Sequence, residues 1–285
     1  MTKQLSPSID FLPTPEDVEF YDEHGWYLAP PVLSDEILET ARRGAERLYR
    51  GERDRTLPVS EGFSDWRPED GDGVRNNEFV SLQVDQLAQL VLAPVIGAIA
   101  AKLAGTDSIR LLDDQLVYKP PGAASTGWHA DHAYWGTCSS QRLLTAWIPF
   151  RDISEDDAPL VVLDGSHRWP GLEHTRFFND PDLEAVEDRM REAGREVRRV
   201  PLTMRKGQLS FHHCWTLHAS LPTRSDDARL ALAVHMQDAD NHYRPAHGPT
   251  GKPVHIFDEQ LCRRLPNGDP DFADPGVFPT LWARA

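Results

Sequence analysis

Seven short apolar segments, at 109–118, 143–150, 160–163, 197–203, 208–211, 215–218 and 230–237, succeed one another between turn residues. That rhythm predicts strands of a β-sandwich or barrel. The chain before them reads as helical. Thr14-Pro15-Glu16-Asp17 supplies an N-cap, a proline at the first helical position and acids in the first turn of a helix ending at Gly25. Ser34 opens a second helix, with Ile37, Leu38, Ala41, Ala45 and Leu48 at helical spacing. Residues 82–103 predict an apolar helix packed on the sheet, and 181–195, acidic then basic, an inserted helix. Residues 51–77 are charged and rich in Gly and Pro, yet carry Phe63 and Trp66. Such a segment is either a lid over a pocket or a solvated loop with two aromatic anchors. After Tyr243 the tail is rich in Pro and Gly, and its apolar residues 277–282 are expected to pack back on the domain.

At 285 residues and 40% hydrophobic content, the chain can bury a sizeable core. A net charge of −15 argues against nucleic acid or an anionic membrane as partner. No apolar run approaches the roughly 18 residues of a bilayer span. The longest, 87–103, is interrupted by Gln89, Pro94 and Lys102. The N-terminus has no basic segment followed by an apolar one, so no secretory signal is expected. Cys138, Cys214 and Cys262 are few, odd in number and without a CxxC pair, which fits a reducing, cytoplasmic setting. The expected partner is a small molecule. Oligomeric state is not legible.

The chemistry concentrates in His129-Ala130-Asp131 and His218. Two residues apart on an extended segment, His129 and Asp131 point to one face. An imidazole from a distant strand completes a 2-His-1-carboxylate triad, which leaves adjacent positions open on a metal and suits non-haem Fe(II). His132 would point to the opposite face, His167 sits in a turn-like Gly-Ser-His, and only one of His212 and His213 can point inward. These four are at most pocket residues or supports of the ligands. Cys214 reads as a small buried hydrophobe.

Four blocks in order carry a resemblance: Gly25-Trp26-Tyr27; Lys119-Pro120-Pro121-Gly122 through Thr126-Gly127-Trp128-His129-Ala130-Asp131; Leu144-Thr145-Ala146-Trp147-Ile148-Pro149 through Gly165-Ser166-His167; and Lys206-Gly207-Gln208 through His218-Ala219-Ser220, closing with Arg229. Over most of residues 14 to 237 the chain resembles the phytanoyl-CoA dioxygenase family. The resemblance implies a mainly β fold with flanking helices around a double-stranded β-helix, a jelly-roll of the cupin kind. It implies a single domain across 1–285: a helical part at about 14–103, a jelly-roll at about 108–240 and a tail at 241–285. It also implies dependence on Fe(II), 2-oxoglutarate and O2, with His129, Asp131 and His218 as metal ligands. Departures from the family pattern, at Asp156-Asp157-Ala158 and Asp164-Gly165, fall at turns. Halogenating members lack the carboxylate, so Asp131 favours oxygenation.

The same resemblance places Arg229, Ser220, Trp147 and Gln115 around the co-substrate. Arg229 suits the distal carboxylate because a guanidinium binds it bidentately. Arg224 competes, but adjoins the acids Asp226 and Asp227. Tyr134, Trp135, Phe211, Trp215, Phe63 and Trp66 are candidates for the substrate wall, with plain core packing as the alternative. Arg142, His132 or Arg176 would hold a polar group. The expected reaction is hydroxylation of an unactivated C–H bond in a small natural-product intermediate, releasing succinate and CO2. Two other readings stand: a non-catalytic jelly-roll binding module, and a cupin-like metalloenzyme that does not use 2-oxoglutarate.

Overall fold

A computed structural model describes residues 11–59, 61–172, 180, 182–248 and 250–284. The chain begins with helix α1 (Pro15–His24), strand β1 (Trp26–Leu28), helix α2 (Asp35–Tyr49), strand β2 (Arg75–Glu78) and helices α3 (Val80–Gln83), α4 (Asp85–Val91) and α5 (Pro94–Leu103). Strands β3 (Ser108–Lys119), β4 (Thr126–His129), β5 (Leu144–Pro149) and β6 (Leu160–Leu163) precede helix α6 (Leu183–Glu192). Then come β7 (Arg199–Pro201), β8 (Ser210–His213), β9 (His218–Ser220), β10 (Arg229–Asp238), β11 (Ala246–His247), β12 (Pro253–Val254) and β13 (Thr280–Ala283).

The helix ends follow their capping residues. Thr14 and Asp17 form a reciprocal capping box, and Gly25 ends α1 at φ 76°, the left-handed cap that glycine adopts without strain. Ser34 caps α2, which buries Leu38, Ala41, Gly44, Ala45 and Leu48. The single helix expected over 82–103 is broken. Val84 is extended between α3 and α4, and Ala93 is extended before Pro94, as the residue ahead of a proline prefers. The stretch Asp85–Leu103 has the length and apolar content of a membrane span, but most of it is buried inside the protein.

Eleven strands form the two antiparallel sheets of a jelly-roll, and β11 and β12 pair separately. The larger runs β1-β8-β5-β10-β3-β13, with β2 also on β3; the smaller runs β4-β9-β6-β7. One face of the large sheet carries Leu144, Ala146, Ile148, Leu232, Val234 and Met236 into a core shared with α2, α4 and α5. The alternate residues face the smaller sheet. β1, β2 and β13 show that the helical part and the tail each add strands to the large sheet. A bulge at Leu112 of β3, opposite the His235–Met236 step of β10, changes the parity of β3. Ile109 and Leu111 join the helical core, whereas Asp113, Gln115 and Val117 line the interior cavity.

Candidate metal centre and its cavity

His129 ends β4 and His218 begins β9, where they are direct register partners with ring centroids 4.1 Å apart. Ala130 is extended (φ −114°, ψ 132°), so strand alternation continues one residue beyond β4 and brings Asp131 round to His129. Asp131 itself starts a 3-10 turn, Asp131–Ala133, rather than prolonging the strand. Its Oδ1 lies 3.9 Å from His129 Nε2 and 3.4 Å from His218 Nε2. The three donor atoms fall within 4.8 Å of one another, the only such His, Cys, Asp or Glu group among the described residues.

The surroundings make these groups ligands. Nδ1 of His129 donates to the Gly127 carbonyl at 2.9 Å, and Nδ1 of His218 to the Thr216 carbonyl at 3.0 Å. Each ring is thereby held as the tautomer that turns an Nε2 lone pair toward a metal. Burial pushes His129 down to about 3 and His218 to about 4, so both imidazoles are neutral at ordinary pH. Asp131 Oδ2 accepts from Thr145 Oγ1 at 2.6 Å and from His212 Nε2 at 3.2 Å. Thr145 has one proton and gives it to the carboxylate, so its 2.8 Å contact with His235 Nδ1 must have the histidine as donor. A rigid relay of His235, Thr145 and His212 thus fixes Oδ2 and leaves Oδ1 toward the common point.

A cavity of about 600 Å³ opens from this point. At one end lie Arg229, Ser220 and Trp147, with the guanidinium 5.3 Å from the Trp147 ring centre. Behind Ser220 is Lys119, the register partner of Arg229, its Nζ donating to Ser220 Oγ at 2.6 Å and to the Ala124 carbonyl at 2.9 Å. Arg229 Nη1 donates to the Ala158 carbonyl at 2.6 Å, while its buried Nε has no partner among the described residues. Two buried cations therefore have only neutral oxygens as partners, which is the arrangement an incoming dianion satisfies. Burial lowers Arg229 to about 10 and Lys119 to about 7, and each cost is relieved by a bound carboxylate. Gln115, Ala233 and Trp147 sit side by side across β3, β10 and β5. Gln115 Nε2 is committed to Glu78 at 2.9 Å.

Of the aromatic candidates, Tyr134, Trp135 and Phe63 line the cavity; Phe211, Trp215 and Trp66 do not. His212 points inward, so its strand neighbour Phe211 faces the helical core. Trp215 stacks on His132 and donates to Gln141 Oε1 at 2.7 Å. Trp66 packs with Tyr49 and Tyr118 around the Arg75 guanidinium. Arg142 pairs with Asp238 and Asp240, and Arg224 with Asp156, away from the cavity. Arg176 lies outside the described residues. Sequence reasoning missed Lys119 as part of the anion seat, although a lysine ending the strand just before Pro120-Pro121-Gly122 was a visible signal. It also missed Thr145, His235, Glu78, Asp113 and Asp258, whose roles depend on partners far away in the chain.

The profile of the family "Phytanoyl-CoA dioxygenase (PhyH)" matches residues 21–231. The peroxisomal phytanoyl-CoA dioxygenase of Bos taurus is 25% identical over 246 residues, covering 82% of this chain and 71% of its own. The 1-deoxypentalenic acid 11-beta-hydroxylase of Streptomyces exfoliatus is 26% identical over 275 residues, covering 85% and 89%. Among solved structures, the non-heme alpha ketoglutarate dependent carbocyclase SnoK from nogalamycin biosynthesis superposes with TM-score 0.69 at 28% identity, covering 94% of this chain and 96% of that one. With the profile spanning most of a chain that has this jelly-roll and this donor set, the protein belongs to the phytanoyl-CoA dioxygenase family of Fe(II)/2-oxoglutarate-dependent oxygenases.

Proposed function

We propose that the protein, acting as one domain, hydroxylates an unactivated C–H bond of a small natural-product intermediate. His129, Asp131 and His218 would hold the iron; Arg229, Ser220, Trp147 and Gln115, with Lys119, would seat 2-oxoglutarate. The observation that carries this reading is one cavity joining three convergent, neutral-or-anionic donors to a buried pair of cations. When bound, iron, 2-oxoglutarate and O2 supply oxidative decarboxylation to succinate and CO2, coupled to oxygen transfer into the substrate. The chain contributes position and dryness. Arg229 and Ser220 would orient the co-substrate's distal carboxylate, with Lys119 holding the Ser220 hydroxyl from behind and Trp147 alongside, and the Thr145 relay fixes Asp131 Oδ2 so that Oδ1 faces the metal. Phe63, Trp135 and Phe257 line the other end.

A biosynthetic substrate is supported by two of the relatives, a hydroxylase of 1-deoxypentalenic acid and a carbocyclase of nogalamycin biosynthesis. A CoA thioester is disfavoured, because Arg229 is the only lysine or arginine among the described residues that line the cavity. The test is an anaerobic titration with Fe(II) and 2-oxoglutarate, followed by visible absorption. A charge-transfer band that needs both components, and that His129→Ala abolishes, is the expected result. Bound metal without a band would sink the reading and bring forward the cupin-like or binding-module alternatives.

A further inference from the structure

The end of the cavity away from Arg229 has a feature that co-substrate binding leaves unused. Asp113 on β3, Glu78 on β2 and Asp258 in a 3-10 turn of the tail all line it. Asp113 is six residues along β3 from Lys119, about 20 Å at the rise of a strand. It faces the cavity in unbroken register with Gln115 and Val117, beside the bulge at Leu112 that turns Leu111 and Ile109 to the helical core. Asp113 and Asp258 are each 7% exposed, and the Oδ1 of each has no hydrogen-bond partner among the described residues. Glu78, by contrast, accepts from the Ser64 amide at 2.7 Å and from Gln115 Nε2. A native interior rarely leaves carboxylate oxygens buried and unmatched, because desolvation without a partner is costly. These oxygens do not converge as metal ligands do: among the described residues only the His129 group brings three donors within 4.8 Å. Their wider spread suits an organic cation, and the rings of Phe63 and Phe257, 5.7 Å apart, add faces that attract one.

We propose that Asp113 and Asp258, backed by Glu78, receive a cationic nitrogen of the substrate, so that the substrate is an amine oxidised at a carbon held over the metal. This assignment rests on the reading of the cavity as the oxygenase's substrate chamber. Burial raises all three carboxyls, Asp258 to about 7, and repulsion from neighbouring carboxylates adds to it at Asp113 and Asp258; an ammonium ion relieves both effects.

The test uses the full chain loaded anaerobically with Fe(II) and 2-oxoglutarate, and calorimetric titration with two matched probes, 3-phenylpropylammonium and 3-phenylpropanol. The ammonium is expected to bind at least about tenfold tighter than the alcohol, the size of one well-made charged contact. Asp113→Asn and Asp258→Asn should each remove most of that preference while the charge-transfer band still forms, which reports an intact fold and metal site. Equal affinity for the two probes, or a preference that survives both substitutions, overturns the proposal. If the wild-type protein gives no band but keeps a carboxylate-dependent preference for the ammonium, the oxygenase reading fails and the amine site stands.

Discussion

Replacing Thr145 by Val should loosen the iron without touching a ligand. The Thr145 hydroxyl bridges Asp131 Oδ2 at 2.6 Å and His235 Nδ1 at 2.8 Å, in a site where all three residues are buried. Valine keeps the volume but removes both contacts. Asp131 loses one of two donors to Oδ2, retaining only His212 at 3.2 Å, and the His235 N–H is left buried without its acceptor. A hydrogen bond to a charged group contributes about 1.5–3 kcal/mol. At about 1.4 kcal/mol per factor of ten, that predicts a loss in metal affinity of roughly 10- to 100-fold, in line with other supports of metal ligands. The assay is anaerobic competition for Fe(II) against a chromophoric chelator. Thr145→Ser keeps the donor and should restore most of the affinity. Wild-type affinity in the Val variant, or a Ser variant no better than Val, would refute the claim that this hydroxyl orients the carboxylate.

Arg229→Ala should weaken 2-oxoglutarate binding in the charge-transfer titration by at least about tenfold, since a buried charge-assisted contact is lost, with iron binding preserved. Lys119 has its charged form disfavoured in the folded protein, so it is fully protonated only below about 7. Co-substrate affinity should therefore fall as pH rises above about 7, and Lys119→Met, tested alongside, should flatten that dependence. The sign for folding is opposite: between about 7 and the usual lysine range the unfolded chain binds the extra proton, so the apo-protein gains stability as pH rises there. Trp147→Ala, which empties a buried site beside Arg229, should cost roughly 3–5 kcal/mol in denaturant unfolding and also weaken 2-oxoglutarate. Unchanged stability and affinity would contradict it. Gly25→Ala places a Cβ 2.3 Å from His167 Nδ1 and 2.5 Å from Thr216 Oγ1 at φ 76°, so a melting temperature equal to wild type would show that the local packing yields more easily than expected.

What the sequence determined by itself is the part of the protein written in short-range patterns. Thr14, Ser34 and Gly25 set helix ends because caps act on amides within three residues of themselves. The strand rhythm from residue 109 announced a β-sandwich or barrel, which the family resemblance narrowed to a jelly-roll, and the two-residue spacing of His129 and Asp131 placed both donors on one face because Ala130 stays extended. Tertiary structure decided the rest. Asp131 turns into a 3-10 turn, and its Oδ2 is fixed by Thr145, His212 and His235 from three strands, a network that exists only once β5, β8 and β10 are side by side. Phe211 lost its expected place in the cavity to His212 because parity on β8 is set by which residue the two sheets enclose. The register that sets Asp113 on the inner face of the large sheet, and the tail that brings Asp258 to meet it, join residues 145 positions apart. A sequence records which side chains carry charge; only the paired sheets decide which of them share one buried cavity, because the cost of burying a charge depends on what the fold sets beside it.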